Sequence, residues 1–123
     1  MINKIFNKYE EITYDSLKNI CSKVGAHVFP KVRIADVISL NNSGVSQNDF
    51  SYGLRAHFDF TITDRNYKAL FSVEFDGPLH TTSTKQQLRD QIKNRICEHF
   101  GYGLLRIYSN YISKKFRGMD LLS

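Results

Sequence analysis

The apolar positions fall into runs of two different periods. Over about residues 4–24, Ile5, Tyr9, Ile12, Leu17, Ile20 and Val24 recur mostly three to four residues apart. That spacing predicts an amphipathic helix, and Gly25 supplies a natural stop. His27 to Leu40 is rich in β-branched residues and interrupted by Pro30. It reads as a short or edge strand, with Val32 to Ile38 continuing as strand or as a turn of helix. Asn41 to Gly53 holds Asn, Ser, Gly, Gln and Asp with few apolar residues, so a mobile loop is expected there.

Period-two patterns follow. Leu54 to Thr63 and Ala69 to Phe75 read as strands, and Asp64-Arg65-Asn66 between them is turn chemistry, which predicts an antiparallel hairpin. Strict alternation puts Phe58, Phe60 and Ile62 on one face and His57, Asp59 and Thr61 on the other. In the second strand Leu70, Ser72, Glu74 and Asp76 share a face, opposite Phe71, Val73 and Phe75. Gly77-Pro78 ends that strand. Thr84 to Phe100 returns to helical spacing through Leu88, Ile92, Ile96 and Phe100, with a capping box expected from Thr84 and Gln87. After Gly101, the segment Gly103 to Ser109 reads as a buried strand. A hairpin followed by a helical crossover to another strand predicts an α/β fold, in the order αβββαβ, with helices packed on a mixed sheet.

The 123 residues suit one domain, and 41% hydrophobic content gives it a core without staples. No apolar run approaches the ~20 residues of a membrane helix. The first residues lack the apolar stretch of a signal peptide, so a cytoplasmic location is expected. Cys21 and Cys97 are far apart without the paired spacing of a zinc site, and reduced, half-buried thiols on helices are expected. The formal charge of +5 favours an acidic partner such as nucleic acid, though only in company with a site.

Candidate chemistry concentrates on the hairpin. Asp59 lies between two phenylalanines, and Glu74 and Asp76 lie on the partner strand. A lone buried carboxylate is costly without a partner or a metal. Carboxylates on adjacent strands converge, and two or three such groups make a hard oxygen site suited to Mg²⁺. The plainer alternative is that Asp59 pairs with Arg55 or Arg106, and Glu74 with Lys68 or Lys93, as satisfied strand charges. On the following helix Lys85, Arg89 and Lys93 stand at i, i+4 and i+8 and form a basic face, suited to a phosphate backbone or to solvent. His80 follows Gly77-Pro78 close to the strand end, where a neutral imidazole could act as general acid or base or stand as a structural hydrogen-bonder.

The segments His57-Phe58-Asp59-Phe60, Val73-Glu74-Phe75-Asp76-Gly77 with His80, Arg89-Asp90-Gln91-Ile92-Lys93-Asn94 and Gly103-Leu104-Leu105-Arg106-Ile107 stand in an order that resembles the PD-(D/E)XK nuclease superfamily. The likeness is to its branch of very-short-patch-repair-like endonucleases and related bacterial domains. The upstream stretch Glu10 to Leu40 is similar to what precedes that core. The resemblance implies a restriction-endonuclease-like fold and metal-dependent hydrolysis of phosphodiester bonds, with DNA the expected substrate and Mg²⁺, or Mn²⁺ in its place, as cofactor. It implies Asp59 and Glu74 as metal carboxylates, with Asp76 and the Phe75 carbonyl as further ligands. His80 and Lys93 would be catalytic helpers, Lys85, Arg89 and Lys93 nucleic-acid contacts, and Glu10 an accessory acid. The superfamily motif expects Lys where this chain has Asp76. The rival reading is therefore a catalytically silent nuclease-like domain that binds nucleic acid or a protein partner. A homodimer or a fused partner would help so small a domain hold a duplex.

Overall fold

The computed structural model describes residues 8–40, 44–76 and 84–108. Its elements run α1 (Lys8–Val24), β1 (His27–Arg33), α2 (Ile34–Val37), α3 (Gln47–Arg55), β2 (His57–Thr63), β3 (Ala69–Asp76), α4 (Thr84–Phe100) and β4 (Gly103–Tyr108). The four strands form one sheet in the order β1-β2-β3-β4. β1–β2 and β2–β3 are antiparallel, and β3–β4 is parallel through the α4 crossover. The architecture is the expected mixed α/β sheet flanked by helices.

The two long helices end by the same device. Gly25 and Gly101 take φ of 76° and 64°. This turns the chain so that the Ala26 N–H reaches the Cys21 carbonyl and the Tyr102 N–H reaches the Cys97 carbonyl, at 2.9 and 2.8 Å. Each closes a left-handed C-terminal cap. The hairpin turn is closed by Asp64, whose carboxylate accepts from the backbone N–H groups of Asn66 and Lys68.

Apolar side chains pack on both faces of the sheet. On one, Cys21, Ile12 and Leu17 of α1 meet Phe60, Ile62, Val73, Phe75 and Ile107, and Tyr14 stacks on Phe60. On the other, Ile96 and Cys97 of α4 meet Phe58 together with Ile34, Ile38 and Leu40. Both cysteines are buried and unbridged. Phe58 and Phe60 thus pack in different cores, against the expectation that they share a face. The alternation of β2 breaks at Asp59, between them.

The segment expected to be a mobile loop contains α3 instead. Ser46 caps it, its hydroxyl accepting from the Asp49 N–H at 3.2 Å. The Asp49 carboxylate is then gripped by Arg95 of α4 at 2.9 and 3.1 Å. Gly53 lets α3 lie directly on Leu40, whose Cδ1 would be 2.5 Å from any Cβ there. The helix also takes Leu54 and Arg55, so β2 starts at His57. β4 is less buried than expected: Ile107 is enclosed, but Leu105 is half exposed, because among the described residues β4 pairs only with β3. None of the described helices is long and apolar enough to cross a membrane.

Candidate active site

The β2–β3 ladder runs from Thr63 and Ala69 as far as Phe60 opposite Val73. At the next residues the two strands exchange side chains for backbone. The Asp59 N–H donates to Glu74 Oε2 at 2.9 Å, and the Phe75 N–H donates to Asp59 Oδ2 at 2.7 Å. Each carboxylate supplies the acceptor that the missing ladder would have given the other strand, and such charge-assisted bonds are stronger than neutral ones. The same exchange brings the two acids together.

Their remaining oxygens face ammonium groups. Lys93, on α4, donates to Glu74 Oε1. Lys31, on β1, lies 3.3 Å from Asp59 Oδ1 and 3.2 Å from Oε2 of Glu10 on α1. Glu74 is buried. Burial first, and then the charge of Asp59, push its carboxyl above the ordinary value, while Lys93 pulls it back. Two acids so close in a low dielectric repel, and a cation between them relieves the repulsion.

Of the residues singled out from sequence, Asp59, Glu74 and Lys93 come together directly, and Glu10 joins them through Lys31. Asp76 ends β3 opposite Tyr108, but its side chain lies outside the described residues, as does His80. The alternative pairing of Glu74 with Lys93 is realised. Asp59 pairs with neither Arg55 nor Arg106. Arg106 bonds to Asn94 Oδ1 at 3.0 Å and faces Asp90 at 3.6 Å, holding β4 to α4. Lys31 is the site residue that sequence reasoning missed. Its position opposite Asp59 follows only from the β1–β2 register, in which Pro30 pairs with Phe60 and Val32 with Phe58.

A cleft of about 700 Å³ opens on the side of Lys93, between the end of α3 with the start of β2 and the first turns of α4; neither Asp59 nor Glu74 lines it. Arg55, His57, Lys85 and Arg89 line it together with Lys93, so the cleft reaches the residue that touches Glu74. Its described acid, Asp90, is already engaged by Gln86 at 3.1 Å and by Arg106. Tyr52 in the wall is pushed up to about 12 by burial and then by the Glu74 charge, which puts the phenol within the field of the site.

The donor set suits a hard cation. Asp59 and Glu74 bring four carboxylate oxygens together from adjacent strands beside the Phe75 peptide, and each of these oxygens already accepts from a backbone N–H or an ammonium group. Among the described residues no three His, Cys, Asp or Glu side chains are grouped to enclose a metal ion. Two carboxylates and a carbonyl fit the habit of Mg²⁺, which keeps several waters, rather than a closed protein cage.

No curated protein and no solved structure matches the chain. A family model described as "Protein of unknown function (DUF2726)" matches residues 2–118, nearly the whole sequence, and the chain belongs to that family.

Proposed function

We propose that this protein is a metal-dependent nuclease that hydrolyses phosphodiester bonds in nucleic acid, an endonuclease with DNA as the expected substrate, working in the cytoplasm. The observation that carries this reading is the meeting of Asp59 and Glu74 where the β2–β3 ladder stops, with Lys93 joining them to a basic cleft. Asp59, Glu74 and the Phe75 carbonyl would hold Mg²⁺ or Mn²⁺, with Asp76 as a further ligand. The bound ion would polarise a phosphoryl oxygen and lower the pKa of a coordinated water.

The chain's own groups do the rest. Lys85, Arg89 and Arg55 hold backbone phosphates along the cleft, which positions the strand without reading its sequence. Lys93 offsets the charge of the carboxylates and of the phosphate in attack, the task the motif elsewhere gives to the lysine that Asp76 replaces. His80 is assigned the proton transfer, as general base or acid. The test is cleavage of labelled single- and double-stranded DNA and RNA with Mg²⁺, Mn²⁺ or EDTA, for wild type and Asp59→Asn. Metal-dependent cutting lost in the variant supports the reading.

The second reading is a silent nuclease-like domain that binds nucleic acid or a protein partner. What favours it is that Lys31 and Lys93 already neutralise the acids from within the chain, while Asp76 stands in the lysine's place. A folded wild type that binds nucleic acid and cuts none of it would select this reading.

A further inference from the structure

Lys31 occupies its position at a cost. Its φ is 54°, the left-handed region, in the middle of a strand. A residue with a Cβ is strained there, and glycine would not be. Strict alternation from Val28, which packs in the core beneath α1, would aim residue 31 at the opposite face of the sheet. The left-handed turn breaks that alternation, and the ammonium reaches Glu10 of α1 as well as Asp59.

The two ammoniums of the site differ in how firmly they are held. The Lys93 side chain is 12% exposed and sits on buried Glu74, whereas that of Lys31 is 40% exposed. Asp59 Oδ2 is committed to the Phe75 N–H, so Oδ1, the oxygen Lys31 holds, is the one nearer to hand for a cation. An exposed ion pair is a weak tether, since water competes for both partners.

We propose that Lys31 is an exchangeable counter-ion of the site. It holds Asp59 and Glu10 in place while no divalent cation is bound. Entry of the cation displaces it from Asp59 Oδ1, and its charge then serves the substrate phosphate. The role rests on the nuclease reading and adds to it a residue that competes with the metal yet assists the reaction.

The experiment compares wild type with Lys31→Met, which keeps the side-chain length, and Lys31→Gly, which also relieves the backbone. Mn²⁺ binding is measured by titration calorimetry and by the rise in melting temperature, and cleavage is measured at saturating Mn²⁺. Both variants are expected to bind Mn²⁺ roughly fivefold more tightly, the equivalent of about 1 kcal/mol for an exposed pair removed. Cleavage is expected to fall roughly tenfold or more, as charge near the phosphate is lost. A purely structural lysine would move binding and stability down together. If wild type binds Mn²⁺ and cuts, but neither variant binds the ion more tightly or cleavage is unchanged in both, the role of Lys31 is overturned and the nuclease reading stands. If wild type binds no Mn²⁺, or binds it and cuts nothing, the nuclease reading itself falls, and the role with it.

Discussion

A double-mutant cycle on Glu74 and Lys93 tests the electrostatics of the site through folding alone. Both side chains are nearly enclosed, at 6% and 12% exposure. Removing one partner of a buried pair strands the other, at about 3–5 kcal/mol. Glu74→Gln keeps an oxygen for the Asp59 N–H but leaves the Lys93 ammonium beside a neutral amide. Lys93→Met leaves Glu74 next to Asp59 with its nearest cation gone, so it should be the costlier change. The double variant removes both charges, and replacing a buried pair by neutral groups of similar size is often close to neutral. The singles should therefore sum to roughly 6 kcal/mol or more while the double loses about 1 kcal/mol or less. Urea unfolding at pH 7 in EDTA, followed by circular dichroism at fixed m-value, gives all four free energies. Mg²⁺ should then recover stability in Lys93→Met and not in Glu74→Gln, because only the first keeps the carboxylate pair. Additivity of the two singles within about 0.5 kcal/mol would refute the buried pair.

Three further outcomes are expected. The Arg95 guanidinium holds the Asp49 carboxyl below its ordinary value of 3.8, so the folded form binds this proton less readily than the unfolded one. The stabilisation is present above 3.8 and lost as pH falls through the lower folded value; in acid titrations of melting temperature, Asp49→Asn should flatten that decline. Gly53→Ala gains about 1 kcal/mol of helix propensity but drives a methyl into Leu40, where overpacking costs about 1–3 kcal/mol; a net loss in urea unfolding is expected, and a gain would mean α3 does not pack so closely. Lys85→Gln and Arg89→Gln should each lower the salt slope of DNA binding by about 1, across unrelated sequences, in fluorescence anisotropy.

Elements with their own punctuation were legible in the sequence. Thr84–Phe100 is helical over the whole predicted range, and the hairpin turns at Asp64 as its side chain dictates. What failed depended on distant partners. Gln47–Arg55 holds few apolar residues, Phe50, Tyr52 and Leu54 among polar ones. Its Ser46 cap was readable, but Asp49 is held by Arg95, 46 residues along the chain, and Gly53 matters only because Leu40 lies against it. The pairing of Asp59 with Glu74 was foreseeable from two adjacent strands, whereas Lys31 required the register of a third. The two faces assigned to β2 were right at Phe60 and Ile62 and wrong at Phe58, since alternation holds only while the ladder does.

That break bears on how the site should be probed. Asp59 and Glu74 are expected metal ligands, yet each also caps a backbone N–H of the neighbouring strand. An alanine at either position removes that acceptor along with the charge. A buried N–H left without a partner costs about 1–3 kcal/mol. The sequence alone suggests that Asp59→Ala and Glu74→Ala would abolish activity and leave the fold intact. The geometry predicts instead that both alanine variants unfold at lower urea, so lost activity in them would not separate ligand from scaffold. At Asp59 the amide keeps a carbonyl for the Phe75 N–H while giving up the charge a cation needs. Asp59→Asn should therefore stay closer to wild type than Asp59→Ala in urea, yet match it in loss of Mn²⁺ binding. Equal stability of the amide and alanine variants would mean that the carboxylate does not hold the strands where the ladder ends.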